Sequence, residues 1–150
     1  MNILVSVADA VMQQLNAGDF SQEFTATRSY RPYFSPADLN TLRVTVAPTT
    51  LKSTILNRSS TLIEAIVDIG VQQHIPPDSD TGQVPQTTVD NLMSLCQEIQ
   101  AAFEFQTLAA LPTAMWVKTE FIPVYSFEHL DLQHIFTSVI RLTYKVGGLP

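Results

Sequence analysis

The chain has 150 residues, which is the length of one domain and enough to bury about two thirds of the surface that the unfolded chain exposes. Hydrophobic residues make up 45% and charged residues only 15%, so some surface poor in charge is expected to meet a partner. The net charge of −6 argues against a general nucleic-acid binder, because affinity for phosphate depends on Lys and Arg.

Cysteine usage and hydropathy exclude two further classes. The single cysteine, Cys96, rules out an internal disulfide and a thiolate-rich metal site, which is typical of an intracellular protein. The first ten residues lack the basic start and the cleavage site of a signal peptide, and we expect a helix there. No apolar run approaches the roughly 20 residues that span a bilayer, so we expect no membrane association.

The N-terminal part of the chain predicts one helix and two strands. Apolar residues recur at spacings of three and four from Leu4 to Leu15, which predicts an amphipathic helix that ends near Gly18 in the left-handed conformation. Residues 24–31 are rich in β-branched and aromatic side chains and precede Pro32, which indicates a strand. In residues 42–47, Leu42, Val44 and Val46 alternate with the residues between them up to Pro48, which indicates a second strand. Residues 49–57 are then a connection or a hairpin extension.

Residues 60–73 predict a long, central strand. Its first face is wholly apolar and consists of Ile63, Ala65, Val67, Ile69 and Val71. The opposite face carries Glu64 and Asp68 among apolar neighbours. We therefore expect a sheet with one face covered by helices and the other partly wet or in contact with another subunit.

The second half of the chain begins with a loop over 74–85, which carries three prolines and a glycine. Thr87 or Thr88 is predicted to cap a helix that runs to about Leu108. Side chains alternate between two faces over 115–124, which indicates a fourth strand. Residues 125–134 are predicted to form a short loop or a turn of helix, and residues 136–146 to form the last strand.

The predicted order is α-β-β-β-α-β-β. It defines an α+β fold in which two helices pack on a mostly antiparallel sheet of about five strands. Neither a repeat nor a linker divides the chain, so residues 1–150 are expected to form a single domain.

No residue pattern predicts catalysis or a metal site. Cys96 falls on the apolar stripe of the second predicted helix, where a buried structural thiol is favoured over a nucleophile. His129 and His134 do not follow a zinc-binding pattern. Asp78 and Asp80 resemble the start of a calcium loop, but its further ligands are missing, which favours a solvated turn. With phosphate loops and serine elbows also absent from the sequence, we expect no enzyme, no cofactor and no bound metal.

Aromatic residues concentrate at the ends of the predicted strands. They either close the rim of the core or make contacts with a partner. With one histidine and two aspartates of the 74–85 loop, they form the candidate interface: Tyr30, Tyr33, Phe34, His74, Asp78, Asp80, Tyr125 and Phe127.

Four stretches carry a family resemblance that extends over nearly the whole chain. They are AsnAlaGlyAspPheSerGlnGluPheThrAlaThrArgSerTyrArgPro (16–32), LeuArgValThrValAlaPro (42–48), ValTyrSerPheGluHisLeu (124–130) and PheThrSerValIleArgLeuThrTyr (136–144). These stretches resemble small proteins of tailed-bacteriophage structural modules, and the element order is similar to that of phage tail terminators. The motifs are structural and bring no catalytic residue with them.

The resemblance implies a structural protein of the virion, assembled in the host cytoplasm. Tail terminators form a ring, usually hexameric, which caps the tail tube, ends its growth and joins it to the head. The implied partners are further copies of the chain, the tail tube protein and a head-side neck protein, while DNA passes through the ring without specific binding. Alternatives are a stopper or adaptor of the neck, an adaptor of another assembly, and a small-molecule-binding α+β domain.

Overall fold

A computed structural model describes residues 2–31 and 39–146. The elements of this part of the chain are α1 Ile3–Ala17, β1 Ala26–Arg28, β2 Arg43–Asn57, β3 Ser60–His74, α2 Gln86–Phe103, β4 Thr107–Leu108, β5 Leu111–Phe121, α3 Phe127–Gln133 and β6 Ile135–Val146. The long strand predicted over 60–73 is present as β3.

The described strands form one curled sheet in the order β1-β2-β3-β6-β5-β4. β3 lies in its middle and is antiparallel to β2 on one side and to β6 on the other, with Ile69 opposite both Val46 and Ile140. The short β1 is parallel to β2. A parallel pair needs a connection of about a dozen residues or more, and positions 29 to 42 supply that length.

The predicted fold class is wrong in its element count and in its sheet. The described residues form three helices and a six-stranded mixed sheet, rather than two helices on an antiparallel sheet of about five strands in the order α-β-β-β-α-β-β. The second helix was predicted to reach Leu108, but it ends at Phe103 because Phe105 takes a φ of 57° and turns the chain. Thr107 and Leu108 then pair with β5 as β4. The third helix has only seven residues, too few to establish a helical period.

Pro48 does not end the second strand, contrary to the prediction. The carbonyl of Val46 accepts a hydrogen bond from the N–H of Ser29, so this position faces the outer edge of β2. Pro48, two residues later, directs its nitrogen to the same side, where β1 has already ended. Proline is tolerated on an unpaired strand edge because no ladder hydrogen bond is lost there. The chain therefore continues as one strand through 49–57.

Helices α1 and α2 cover the apolar face of β3. Val67, Ile69 and Val71 are fully buried beneath them. The buried side chains that the two helices contribute to this core are Val7, Ala8, Ala10, Val11, Leu15, Leu92, Leu95, Cys96, Ile99 and Phe103. Each large aliphatic side chain buried in this way stabilises the fold by about 1.5–3 kcal/mol.

The ends of these helices differ from the predictions. Gly18 follows α1 with φ −77° and ψ 161°, so it is extended and not left-handed. A Cβ at this position would lie 2.6 Å from the Phe20 ring, so a residue other than glycine would require that ring to move. Helix α2 begins at Gln86 after Pro85 and has no side-chain cap, whereas Thr87 or Thr88 was predicted to cap it.

The second face of the sheet was predicted to be partly wet or in contact with another subunit, and the structure shows that its middle is buried within the chain. Asp68 is 5% exposed and receives two hydrogen bonds from Arg141, at 2.9 Å from Nε and 3.1 Å from Nη2. This carboxylate raises the pKa of the Arg141 guanidinium through its hydrogen bonds. Thr45 and Thr143 on this face are also buried, because the sheet curls.

Tyr144 on β6 is expected to tolerate the loss of its hydroxyl group. The side chain is fully buried, and its hydroxyl has no hydrogen-bond partner among the described residues. Burial also raises the pKa of this phenol. Since a buried hydroxyl without a partner is unfavourable, Tyr144→Phe should raise the free energy of unfolding by about 1 kcal/mol. Urea unfolding measures this change.

Tyr125→Phe is the matched control, because the Tyr125 side chain is exposed and should contribute little through its hydroxyl. If Tyr144→Phe instead lowered the free energy of unfolding by about 1 kcal/mol or more, the expectation would be contradicted. A loss of that size is on the order of one net hydrogen bond and would indicate that the hydroxyl has a partner.

Candidate functional site

The described residues hold no obvious chemical centre. Within 2–31 and 39–146, no three His, Cys, Asp or Glu side chains come together in a way that could hold a metal ion. In the same ranges, no helix has the length and apolar character needed to cross a membrane. Surface shape and surface chemistry are therefore the features that bear on function.

A concave feature lies between α2 and α3, and we call it the α2–α3 groove. It has a volume of about 540 Å³, and Gly82, Gln83 and Val84 of the loop before α2 also line it. A volume of this size can hold a drug-sized ligand or a few side chains. Its apolar lining consists of Val84, Val89, Met93, Tyr125, Phe127 and Leu130.

The short helix α3 forms one wall of this groove. Ser126 caps the helix by accepting a hydrogen bond from the N–H of His129 at 3.4 Å. His134 ends it in the left-handed conformation, with φ 54° and ψ 37°, and the chain passes directly into β6. A bond of 2.9 Å joins Nδ1 of His129 to Oγ1 of Thr137 and fixes the helix against the sheet. No residue of α3 is fully buried, so its apolar side chains remain available for contacts.

Residues 78–83, in the loop before α2, form a turn that is held by hydrogen bonds within the loop. The N–H of Asp78 donates to the carbonyl of Gln83, and the N–H of Gly82 donates to the carbonyl of Asp78, each at 2.7 Å. Oδ1 of Asp78 also accepts from the N–H of Asp80 at 2.9 Å. The solvated turn favoured from the sequence is thus the geometry observed.

The structure brings only some of the predicted interface residues together. Tyr125 and Phe127 line the α2–α3 groove, and the turn of Asp78 and Asp80 is hydrogen-bonded to Gly82 and Gln83, which line it too. His74 is half-buried at the end of β3, opposite Ile135.

The other predicted aromatic residues are not part of the groove. Tyr30 lies near β1, 72% exposed, with its ring 5.5 Å from the Arg28 guanidinium. Tyr33 and Phe34 lie outside the described residues.

A second exposed feature is the hairpin of β2 and β3. The described pairing of β3 with β6 ends at Ile63, while its pairing with β2 continues to Ser60. We call residues 50–62 the arm. Its aliphatic side chains Leu51, Ile55 and Leu56 are 50%, 84% and 60% exposed.

Sequence reasoning missed the α2 wall of the groove and the aliphatic end of the arm. Val89 and Met93 continue the apolar stripe of α2, and the sequence does not indicate that they are only half-buried against the core and also line a groove. Ile55 and Leu56 directly precede the polar stretch 57–60, and apolar residues beside a polar turn are the signal that could have identified them.

Cys96 is expected to be unreactive in the folded protein. It is 1% exposed, and burial raises the pKa of its thiol to about 11, although the Ser138 hydroxyl has a smaller opposite effect. About one molecule in a thousand would carry the thiolate at pH 8. Ellman's reagent should therefore label the native protein at least about 100-fold more slowly than the same sample in guanidinium chloride. Comparable rates in the two conditions would contradict the buried position.

Comparison with known protein families gives no match for this chain, and comparison with curated proteins gives none either.

Proposed function

We propose that the protein is a structural component of a phage virion, namely a ring-forming tail terminator that caps the tail tube and joins it to the head. The observation that carries this proposal is the arm, which holds Leu51, Ile55 and Leu56 in water. Exposed aliphatic side chains on one hairpin are costly for a free monomer and are typical of a contact surface. The resemblance of the sequence to phage tail terminators supports the joint between tail tube and head as the place where the protein acts.

The arrangement of surfaces supports a ring of identical subunits. A ring needs two different contact surfaces on each copy, one of which binds its counterpart on the next copy. The arm and the α2–α3 groove are two such surfaces on one chain.

The charge of the chain supports a channel for DNA. The net charge of −6 on each copy is multiplied in a ring. An acidic channel repels phosphate, so DNA would slide through it and would not bind. In this function the protein acts by shape and contact, and no residue is assigned a catalytic role.

Electron microscopy of lysates tests the proposal, with a phage whose copy of this gene has been disabled. We expect overlong or ragged tails beside filled heads without tails, because nothing then ends tube growth or makes the joint. Supplying the unaltered gene from a plasmid should restore normal particles. Tails of normal length beside heads that have lost DNA would instead indicate a stopper or adaptor on the head side, and intact infectious particles would exclude a structural role.

A further inference from the structure

The arm and the α2–α3 groove lie at opposite ends of the sheet. β3 begins at Ser60 in the arm and ends at His74, from which the loop leads to the groove. At a rise of about 3.3 Å per residue, these two ends are about 45 Å apart. The arm therefore cannot reach the groove of its own chain.

The end of the arm combines an apolar surface with a positive charge. Ile55 and Leu56 are the most exposed aliphatic residues of the arm and directly precede the turn. Arg58 is in this turn and makes no ion pair with the described residues. We call residues 55–58 the tip.

The α2–α3 groove has the complementary chemistry. Its lining combines the apolar side chains named above with two carboxylates, Asp90 of α2 and Asp131 of α3. Both aspartates are exposed and make no ion pair with the described residues. An apolar segment that carries one cation would thus find both apolar contacts and carboxylates in the groove.

We propose that the tip of one copy binds in the α2–α3 groove of the next copy. Ile55 and Leu56 contact the apolar lining of the groove. Arg58 forms an ion pair with Asp90 or Asp131. The inference rests on the proposed ring and names its contact. Because the two surfaces differ and lie at opposite ends of the chain, the contact is head-to-tail and closes into a ring when the rotation between copies allows it.

The test uses the purified full-length chain and two variants that spare the core. Leu56→Asp alters the tip, and Phe127→Asp alters the groove at a side chain that is 66% exposed. Native mass spectrometry and sedimentation should show oligomers of the unaltered chain and monomers of each variant, with association weakened at least about 30-fold. Circular dichroism should show the same fold in all three proteins.

Mixing the two variants gives the sharpest result. The Leu56→Asp chain retains a groove, and the Phe127→Asp chain retains a tip, so together they can form one contact and no more. A 1:1 complex that does not grow further is expected, whereas surfaces unrelated to each other would give only monomers. Charge reversal adds a second check: Arg58→Glu and Asp131→Arg should each weaken association about 10-fold, and their combination in one chain should restore it.

Leu132→Asp is the matched control, because this residue is 75% exposed on α3 and does not line the groove. It should leave the oligomers unchanged. Rings that persist in both Leu56→Asp and Phe127→Asp would overturn the tip–groove contact while leaving the proposed ring in place. An unaltered chain that stays monomeric up to about 1 mM would also overturn the contact, whereas the virion role is decided separately by the lysates.

Discussion

Replacement of Arg141 by methionine is expected to lower the free energy of unfolding by about 3 kcal/mol. The guanidinium donates two hydrogen bonds to the carboxylate of Asp68, whose side chain is only 7% exposed. Its removal leaves a buried negative charge without a partner in the middle strand. We expect an effect at the lower end of the range for buried pairs, because the Arg141 side chain is 35% exposed. Methionine keeps an apolar stem, so the change reports mainly on the charge.

Lys118→Met is the matched control for this prediction. Lys118 pairs with Glu120 at 3.1 Å on the same side of the sheet, but both side chains are about half exposed, so its loss should cost less than about 0.5 kcal/mol. The double change Asp68→Leu with Arg141→Met removes both charges of the pair and should recover most of the lost stability. Urea unfolding followed by circular dichroism measures all three variants. An Arg141→Met loss no larger than that of Lys118→Met would show that the pair contributes little.

Replacement of Leu92 by alanine is expected to cost about 3 kcal/mol of unfolding free energy. Leu92 lies on α2, is fully buried and packs in the core between the helix and the sheet. The truncation leaves a cavity that the close-packed surroundings can fill only in part. Chemical unfolding should show an earlier midpoint with little change in slope, since the native fold is retained.

Met93 is the adjacent residue on the same helix, and it allows the core to be separated from the groove. It is half-buried and lines the α2–α3 groove, so Met93→Ala should cost about 1 kcal/mol of stability or less. The same change should weaken self-association about 10-fold, whereas Leu92→Ala should leave it unchanged in conditions where the variant is folded. Sedimentation of both variants measures this difference. Equal effects of the two changes on association would argue against a groove contact.

Local patterns in the sequence were enough to predict several elements. The period-two alternation over 60–73 predicted β3 to within one residue of its end, and the apolar stripe from Val89 to Phe103 predicted α2. Both elements are long, so the period repeats often enough to be recognised. The strand β6 was predicted for the same reason.

Shorter and context-dependent elements were not predictable in this way. β4 has two residues, and its existence depends on a partner, β5, that only the folded chain brings beside it. The passage of β2 through Pro48 depends on β1 having ended at Arg28, opposite Val46, which the local sequence does not encode. Of the candidate site, Tyr125 and Phe127 were identified from the sequence, but their meeting with Val89 and Met93 across two helices was not.

By itself, the sequence determined which residues are apolar and expected to be buried, and where the long helix and strands lie. It also determined that the chain is acidic and poor in charge. These properties follow from composition and from periods that repeat within one segment. The tertiary structure decided that Asp68 is buried against Arg141, that β1 pairs in parallel, and that an apolar groove and an exposed arm lie at opposite ends of the sheet. Such features join residues far apart in the chain, and their geometry is set by strand order and packing, which no local pattern specifies.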